Sequence, residues 1–255
     1  SICYRANIIV IFANFLNFMK HLISLLFMFA FFTSSFAQTY EVGAFIGGAN
    51  YIGDVGSTAY INPNSLVAGG MGKWNISERY AFRLTLLYAE INADDSKSSD
   101  VRRQQRGYSF SNNIAEASLG IEFNYWNFDL TKADAQQQST PYLYTGIIYF
   151  NSKHQYLSAN PPAGRLQPQG DNWEFAIPVI LGYKQTLTEN VIAGIEFGAR
   201  YTFTDNIDGS TPAELLGRRD PPREFGNRNT NDWYIFSGIS LTFTFGKKPC
   251  YCHLN

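Results

Sequence analysis

The stretch WYIFSGISLTFTF, residues 233–245, alternates large apolar side chains with small or polar ones. Successive side chains of a β-strand point to opposite faces, so this pattern predicts a strand with one apolar face and one polar face. The apolar face carries aromatic residues at both ends, Trp233 and Phe245. About ten residues of a tilted strand are enough to cross a bilayer, so we predict that this strand spans a membrane.

The same alternation recurs along the chain. It is clear in residues 114–126 and 191–203. Weaker copies occupy residues 40–52, 65–76, 80–92, 141–151 and 173–187. We therefore predict an all-β fold, an eight-stranded antiparallel transmembrane β-barrel of OmpA-like size over residues 38–246, because an even number of strands is typical of bacterial membrane barrels. Pro178 weakens the sixth strand, since proline cannot donate to the hydrogen-bond ladder.

The segments between the strands support this topology. The connections on one side are long and polar: residues 53–64, 93–110, 152–172 and 205–230. On the other side, two connections are very short, residues 77–79 and 188–190, and a third connection, residues 128–140, is longer. Long outer loops and short periplasmic turns are typical of outer-membrane barrels. We expect the long loops to be solvated and both ends of the mature chain to face the periplasm.

A soluble β-sandwich or lipocalin-like barrel is the alternative fold, with the apolar faces pointing inward. The polar faces carry many Gly and Ser residues and few of the Lys and Glu residues of a solvated surface. Aromatic residues also cluster at strand ends, as they do at membrane interfaces. Both features favour the membrane barrel. The net charge of −1 gives no reason to expect a nucleic acid partner.

The most apolar run of the chain begins at Met19. It has a short basic start, an apolar middle and small residues at Ser35 and Ala37, which is typical of a secretory signal peptide. We predict cleavage after Ala37 and regard residues 1–18 as an upstream extension of the reading frame. An uncleaved membrane anchor is the alternative.

Several charged residues fall on the inward faces of the predicted strands. They are Arg83, Glu116, Glu122, Glu196 and Arg200. Eight strands leave an interior that side chains fill, so an open pore is not expected. Because an isolated buried charge is costly, we expect these residues to form a structural cluster of ion pairs. A proton path or a catalytic site is the alternative.

Candidates for catalysis or metal binding are sparse. His154 has Ser152 and Ser158 nearby, but their spacing does not identify a base beside its nucleophile. The stretch CYCH, residues 250–253, offers zinc ligands, although the cysteine spacing is tighter than usual. We therefore predict no enzymatic activity, no cofactor, no metal and no small-molecule substrate.

Several blocks of the sequence resemble one known family. They are YEVGAFIGGANYIGDVG (40–56), RGYSFSNNIAEASLGIEFNYW (106–126), NTNDWYIFSGISLTFTFG (229–246) and KPCYC (248–252). These blocks are similar to the PorG-type outer-membrane proteins of the Bacteroidetes type IX secretion system. The resemblance implies a component of the protein secretion and gliding machinery that tethers or positions a periplasmic ring, built from a lipoprotein and its partner.

Residues 247–255 form a predicted periplasmic tail after the last strand. Lys247 and Lys248 mark the water side of the membrane, and Cys250, Tyr251 and Cys252 are candidate docking residues for the ring. Disulfides to another chain, a local redox event and a stub without function are the alternatives for this tail. For the whole protein, the alternatives are an OmpA-like structural or adhesive barrel with ligand-binding outer loops, and a hydrolase at the barrel rim.

Overall fold

A computed structural model describes residues 39–57, 59–130, 137–157, 165–210, 225–227 and 230–246. The predicted upstream extension and signal peptide, residues 1–37, and the predicted tail, residues 247–255, lie outside the described residues.

The described residues contain eight antiparallel strands that close into one barrel. The strands are β1 Thr39–Ile52, β2 Ser65–Asn75, β3 Tyr80–Asp94, β4 Ser109–Asn124, β5 Ser139–Tyr156, β6 Gln167–Thr186, β7 Val191–Thr202 and β8 Trp233–Gly246. Each strand pairs with its neighbours in the chain, and β8 returns to pair with β1, so the sheet has no free edge. The predicted eight-stranded antiparallel barrel is confirmed.

Two short helices interrupt the connection between β3 and β4. They are a 3₁₀-helix, Asp95–Lys97, and an α-helix that we call α1, Val101–Arg106. In the part of the chain that the structure describes, no helix has the length and hydropathy needed to cross a bilayer.

The outward faces of the strands form an apolar belt around the barrel. Exposed residues of this belt include Val42, Ile46, Leu84, Leu86, Leu119, Ile147, Val179, Ile195 and Leu241. Aromatic pairs flank the belt at both rims, Tyr40 with Phe245 on one and Tyr149 with Trp173 on the other. An apolar belt between two aromatic girdles is the surface that lipid requires. The barrel is therefore transmembrane, and the soluble alternative, with apolar faces pointing inward, is wrong.

The two ends of the barrel differ. At the turn end, where β1 begins and β8 ends, the strands are joined by residues 76–79, 125–138 and 187–190. At the opposite loop end, the strands run further than the sequence predicted. β3 continues to Asp94, β5 continues to Tyr156, and β6 begins at Gln167. Beyond the bilayer both faces of a strand meet polar surroundings, so the apolar alternation that marks a strand is lost.

Among the described residues of the long loops, several are buried and not solvated, contrary to the prediction. Val55, Leu157, Leu166 and Ile207 are buried and belong to the apolar cluster inside the barrel. Closing a barrel leaves apolar inner side chains at its open end, and burying them is favourable. The loops therefore pack over the loop end as a cap.

Arginine side chains of α1 tie this cap together. Arg103 donates to the carbonyls of Gly53 and Gly56, each at 3.0 Å. Arg106 donates to the fully buried Asp95 at 2.8 Å and to the Asp54 carbonyl at 2.6 Å. The helix thus bridges the β1–β2 and β3–β4 connections.

The sixth strand tolerates its proline. The β5–β6 pairing runs from Ser139 to Thr145, skips the two residues opposite Ile177 and Pro178, and resumes at Ile148 in the same register. Pro178 is still paired with Arg200 on the β7 side. The missing N–H of Pro178 therefore leaves a local gap in the β5–β6 ladder, but β6 continues through this position.

The longer turn between β4 and β5 closes the turn end. Phe128 and Leu130 are buried there against Ile192. The Phe128 N–H donates to the Glu78 carbonyl at 3.1 Å, which folds this turn across the neighbouring one.

Gly120 of β4 and Gly146 of β5 are paired across the sheet. A Cβ on Gly120 would lie 2.1 Å from the Thr145 carbonyl oxygen, and one on Gly146 would lie 2.2 Å from the Leu119 carbonyl oxygen. The two backbones thus approach so closely that a side chain at either glycine would clash with the neighbouring strand.

Gly146→Ala is expected to lower the free energy of unfolding by about 1–3 kcal/mol, because the new methyl group forces the two strands apart. The measurement is urea unfolding of the refolded barrel in detergent. Gly72→Ala is the matched control, because its Cβ would meet only the Glu41 carbonyl oxygen at 3.9 Å. An equal loss in both variants would contradict the role of the close approach.

Candidate functional site

The strands bury a set of charged side chains inside the barrel, which we call the lumen cluster. Within the described residues it comprises the cations Lys73, Arg83, Lys184 and Arg200 and the carboxylates Glu41, Glu116, Glu122 and Glu196. The formal charges of these eight residues cancel. Each of them alternates with lipid-facing residues along its strand, so the pleat of the sheet directs them inward.

Glu122 is the hub of the lumen cluster. Its Oε1 atom lies 2.6 Å from Lys184 Nζ, and its Oε2 atom lies 2.9 Å from Lys73 Nζ and 3.5 Å from Arg83 Nη1. Three cations from three different strands therefore converge on one fully buried carboxylate. Lys73 and Arg83 are direct neighbours across β2 and β3, and their repulsion is offset by this shared anion.

Arg83 makes a bidentate ion pair with Glu196. Its Nη1 and Nη2 atoms donate to the two oxygens of Glu196 at 3.0 and 2.8 Å, a bidentate geometry. The Tyr142 hydroxyl donates to the same carboxylate at 2.7 Å. Gly182 faces this ring, and a Cβ there would lie 2.2 Å from the Tyr142 Cζ atom, so glycine leaves the room that the tyrosine needs.

Glu41 lies beside this group at the turn end. Its Oε1 atom accepts from Asn75 Nδ2 and its Oε2 atom from Thr242 Oγ1, both at 2.9 Å. Lys73 Nζ is 3.8 Å away. Neutral donors thus satisfy this carboxylate, with Lys73 as a more distant counter-charge.

Arg200 and Glu116 form a separate pair nearer the loop end. Arg200 Nη2 lies 3.4 Å from Glu116 Oε1, and the Tyr234 hydroxyl donates to Glu116 Oε2 at 2.8 Å. The guanidinium also lies over the Phe236 ring, 4.2 Å from its centroid. A cation over an aromatic face is stabilised electrostatically.

Apolar side chains fill the loop half of the lumen. Phe45, Met71, Ile148, Phe150 and Phe236 are all buried there in one cluster. The Arg200–Glu116 pair and the Tyr234 hydroxyl also lie in this half, so side chains of both kinds fill the interior. The arrangement can hold the strands together through the lumen, but it offers no open route for solutes.

The structure places all five predicted lumen residues inside the barrel. Arg83, Glu122 and Glu196 meet in one group, and Glu116 and Arg200 meet in the other.

Sequence reasoning missed Glu41, Lys73 and Lys184. Their strands show the weaker alternation, and their faces were not assigned. Extending the period of two from Trp173 along β6 would have put Lys184 on the inward face.

The predicted docking residues of the tail lie outside the described residues. They are Lys247, Lys248, Cys250, Tyr251 and Cys252. The zinc alternative for CYCH lies there as well. Within the described part of the chain, no group of three or more His, Cys, Asp or Glu side chains has a metal-binding arrangement.

The sequence predicted that His154 lies in an outer loop. It lies instead near the end of β5, where the pairing with β6 shifts register. Its Nε2 atom lies 3.0 Å from Glu174 Oε1. Ser152 is fully buried, and Ser158 lies outside the described residues. A nucleophile must be accessible to its substrate, so Ser152 and His154 do not form a rim hydrolase site.

Two buried aspartates lie beneath the loop cap. Asp232 accepts hydrogen bonds from the Tyr51 hydroxyl and, at 3.0 Å, from the Ile207 N–H. Asp208 accepts from the Asp54 N–H at 3.0 Å and from the Ser210 N–H at 2.9 Å. Burial, together with the charge of Asp54, raises the pKa of Asp208 to about 6. Burial and the charge of Asp208 raise the pKa of Asp232 well above its usual range.

Glu122→Gln is expected to lower the free energy of unfolding by about 3–5 kcal/mol, because it leaves three buried cations with one counter-charge fewer. Urea unfolding in detergent measures the loss. Adding Lys184→Met should recover part of it, since that change removes one uncompensated cation. Glu90→Gln, an exposed carboxylate on β3, is the control and should change little. No recovery in the double variant would contradict the hub role of Glu122.

The Asp208 pair predicts a loop cap that is more stable in mild acid. The folded cap holds a proton on Asp208 up to a pKa of about 6, whereas the exposed side chain has a pKa of 3.8, so stability falls as pH rises between these values. From pH 7.5 to pH 5, the free energy of cap opening should rise by about 1 kcal/mol from Asp208, and the raised pKa of Asp232 adds to this rise. Amide protection factors of residues 205–210 measure it. Asp208→Asn should reduce the pH dependence and Asp208→Asn/Asp232→Asn should abolish most of it, while the exposed Asp171→Asn should keep it; an unchanged profile in the double variant would refute the assignment.

Comparison with solved structures finds outer-membrane proteins. The N-terminal β-barrel domain of Pseudomonas aeruginosa OprF is 14% identical, with 82% of this chain and 98% of that chain covered and a TM-score of 0.40. OprG from Pseudomonas aeruginosa is 9% identical, with 82% and 97% covered and a TM-score of 0.46. Neisserial surface protein A is 11% identical, with 81% and 97% covered and a TM-score of 0.43.

Among curated proteins, none matches the sequence. One family model does match it, over residues 20–254, and its description is "Domain of unknown function (DUF6089)". Because this match spans nearly the whole chain, the protein belongs to the DUF6089 family.

Proposed function

We propose that this protein is a non-enzymatic outer-membrane component of the type IX secretion and gliding machinery, which tethers or positions the periplasmic ring. The observation that carries the proposal is the filled lumen. The Glu122 group of the lumen cluster occupies the turn half of the interior, and apolar side chains together with the Arg200–Glu116 pair occupy the loop half. A barrel without a conduit contributes through its surfaces and its ends. The sequence blocks that resemble PorG-type proteins supply the identity of the machine.

The two ends of the barrel support an orientation in the membrane. Short turns of outer-membrane barrels face the periplasm and long loops face outward. The turn end of this barrel, where β1 starts at Thr39 and β8 stops at Gly246, is therefore the periplasmic end of the proposal. The chain on either side of the barrel then enters the periplasm.

The proposed docking site is the tail that follows β8. Phe245 stacks with Tyr40 at the turn-end rim, with ring centroids 5.9 Å apart, and aromatic residues favour this interfacial level. Lys247 follows two residues later, at the proposed water side. Cys250 and Cys252 are then within reach of the ring lipoprotein and its partner, the proposed partners, beside the lipid of the membrane.

A second candidate function is an OmpA-like structural or adhesive barrel. The packed cap favours it, because Asp95 and α1 tie the described parts of the β1–β2 and β3–β4 connections together. Ordered loops bind ligands with a smaller entropic cost than flexible ones. The two functions differ in their partners: secretion requires ring proteins, and adhesion does not.

Affinity purification from solubilised outer membranes tests the proposal. The full chain is expected to recover the ring lipoprotein and its partner, and deletion of residues 247–255 is expected to abolish that recovery. A Cys250→Ser/Cys252→Ser double variant tells whether the thiols or the rest of the tail carry the contact. Quantitative mass spectrometry of the recovered proteins is the measurement.

Two controls accompany this experiment. Heat-modifiable migration on gels checks that the deletion variant still forms a barrel in the membrane. An unrelated eight-stranded barrel with the same tag measures background recovery. Recovery at background level with the full chain would refute the secretion assignment, and equal recovery with the deletion would move the docking site to the barrel wall or to residues 125–138.

A further inference from the structure

A partly open cavity of about 390 Å³ lies at the loop end of the barrel. It is formed by the β1–β2 loop, the connection from β3 to β4, and Arg165. Small-molecule sites commonly have volumes of about 300–1,000 Å³, so this cavity has room for a ligand of one or two sugar units. It lies at the end opposite to the proposed ring-docking tail.

The cavity wall is unusually rich in side-chain amides. Asn50, Asn62, Asn64 and Asn92 all contribute to it. An amide side chain both donates and accepts hydrogen bonds. The hydroxyl groups of a saccharide do the same, so a wall of this kind matches a hydroxyl-rich ligand.

Asn50 contributes an acceptor without a partner. The residue is 2% exposed, and its Oδ1 atom has no hydrogen bond within the described residues. Its Nδ2 atom donates to the Tyr60 carbonyl at 3.0 Å, which determines the orientation of the amide. Rotating the amide would place Oδ1 against that carbonyl oxygen. A buried acceptor left unpaired is costly, so a ligand hydroxyl that reached this atom through a small shift of the cavity wall would be favoured.

Two aromatic side chains form the apolar part of the wall. Tyr51 and Phe110 pack edge to face, with ring centroids 5.0 Å apart and an angle of 84° between the rings. Both residues are buried and line the cavity. An apolar wall beside amide groups suits a sugar ring, which has C–H faces as well as hydroxyl edges.

The cavity also has a positive edge. Lys97 and Arg165 are exposed residues of its lining, and Asp94 is the carboxylate there. In the part of the chain that the structure describes, the Arg165 guanidinium makes no ion pair. A guanidinium with free donors favours a carboxylate, sulfate or phosphate.

From these features we infer that the loop-end cavity binds an anionic saccharide, a sugar unit that carries a carboxylate, sulfate or phosphate group. Asn50 accepts from a ligand hydroxyl, the aromatic wall contacts the ring, and Lys97 and Arg165 hold the acidic group. The inference goes beyond ring tethering, because it assigns a ligand to the opposite end of the barrel. The same chemistry occurs in free oligosaccharides and in the headgroups of lipopolysaccharide.

The test uses the full mature chain in detergent micelles. Binding is measured on a printed panel of neutral oligosaccharides and their sulfated, phosphorylated and uronic acid counterparts, and with lipopolysaccharide and its delipidated core. The acidic members are expected to bind about tenfold or more tightly than their neutral counterparts, as for a charge-assisted hydrogen bond. Stronger binding of intact lipopolysaccharide than of its core would identify the lipid headgroup as the source, and equal binding would identify the free saccharide.

Variants assign the binding to this cavity. Lys97→Gln/Arg165→Gln should remove the preference for acidic members, and both residues are exposed, so folding should be kept. Lys153→Gln, an exposed cation outside the cavity lining, is the matched control and should change nothing. Asn50→Leu should weaken the binding of neutral and acidic saccharides alike. Binding to no member of the panel, or an unchanged acidic preference in the double variant, would overturn the inference. Ring recovery is measured separately, so this result leaves the tethering proposal intact.

Discussion

Closure of the sheet by the pairing of β8 with β1 is the constraint on which the other features depend. Inside a bilayer every backbone N–H and C=O group needs a partner, and only a closed barrel provides one for every strand. Closure with eight strands sets the width of the interior, and this width leaves room for side chains and little else. The filling of the interior and the covering of its two ends are consequences of that closure.

The filling is divided between charged and apolar side chains. In the turn half, Glu122 forms ion pairs with Lys73, Lys184 and Arg83, and Arg83 also pairs with Glu196. The contacts of Glu122 with the two lysines join β4 to β2 and β6, and the Arg83–Glu196 pair joins β3 to β7. None of these pairs of strands are neighbours in the sheet, so the cluster braces the barrel across its lumen. Buried ion pairs add little stability compared with apolar packing, but breaking one is costly. The cluster therefore favours a single pairing register of the strands, because a shift of one residue would turn these charges towards lipid.

The two ends of the barrel are covered by different means. A single turn with Phe128 and Leu130 covers the turn end, whereas three connections and α1 build the cap at the loop end. The cap creates a cavity lined by amides and two cations, and it buries Asp208 and Asp232 beneath it. This asymmetry fits the two proposals, a tether at the turn end and a ligand site at the loop end.

The sequence by itself determined the number of strands, their antiparallel order and the face that each clear strand turns to lipid. These features follow from a local period of two, which residues 114–126, 191–203 and 233–245 display without tertiary help. It also pointed to Arg83, Glu116, Glu122, Glu196 and Arg200 as interior charges.

Only the tertiary structure decided which of these charges meet, because pairing depends on strand register and on contacts across the lumen. It brought Glu41, Lys73 and Lys184 into the same cluster, and it extended β3, β5 and β6 beyond the membrane. It also turned loops that look solvated into a cap with a cavity. The physical reason is the same in each case: burial inside a closed barrel depends on residues distant in the chain, and a local pattern of polarity does not contain them.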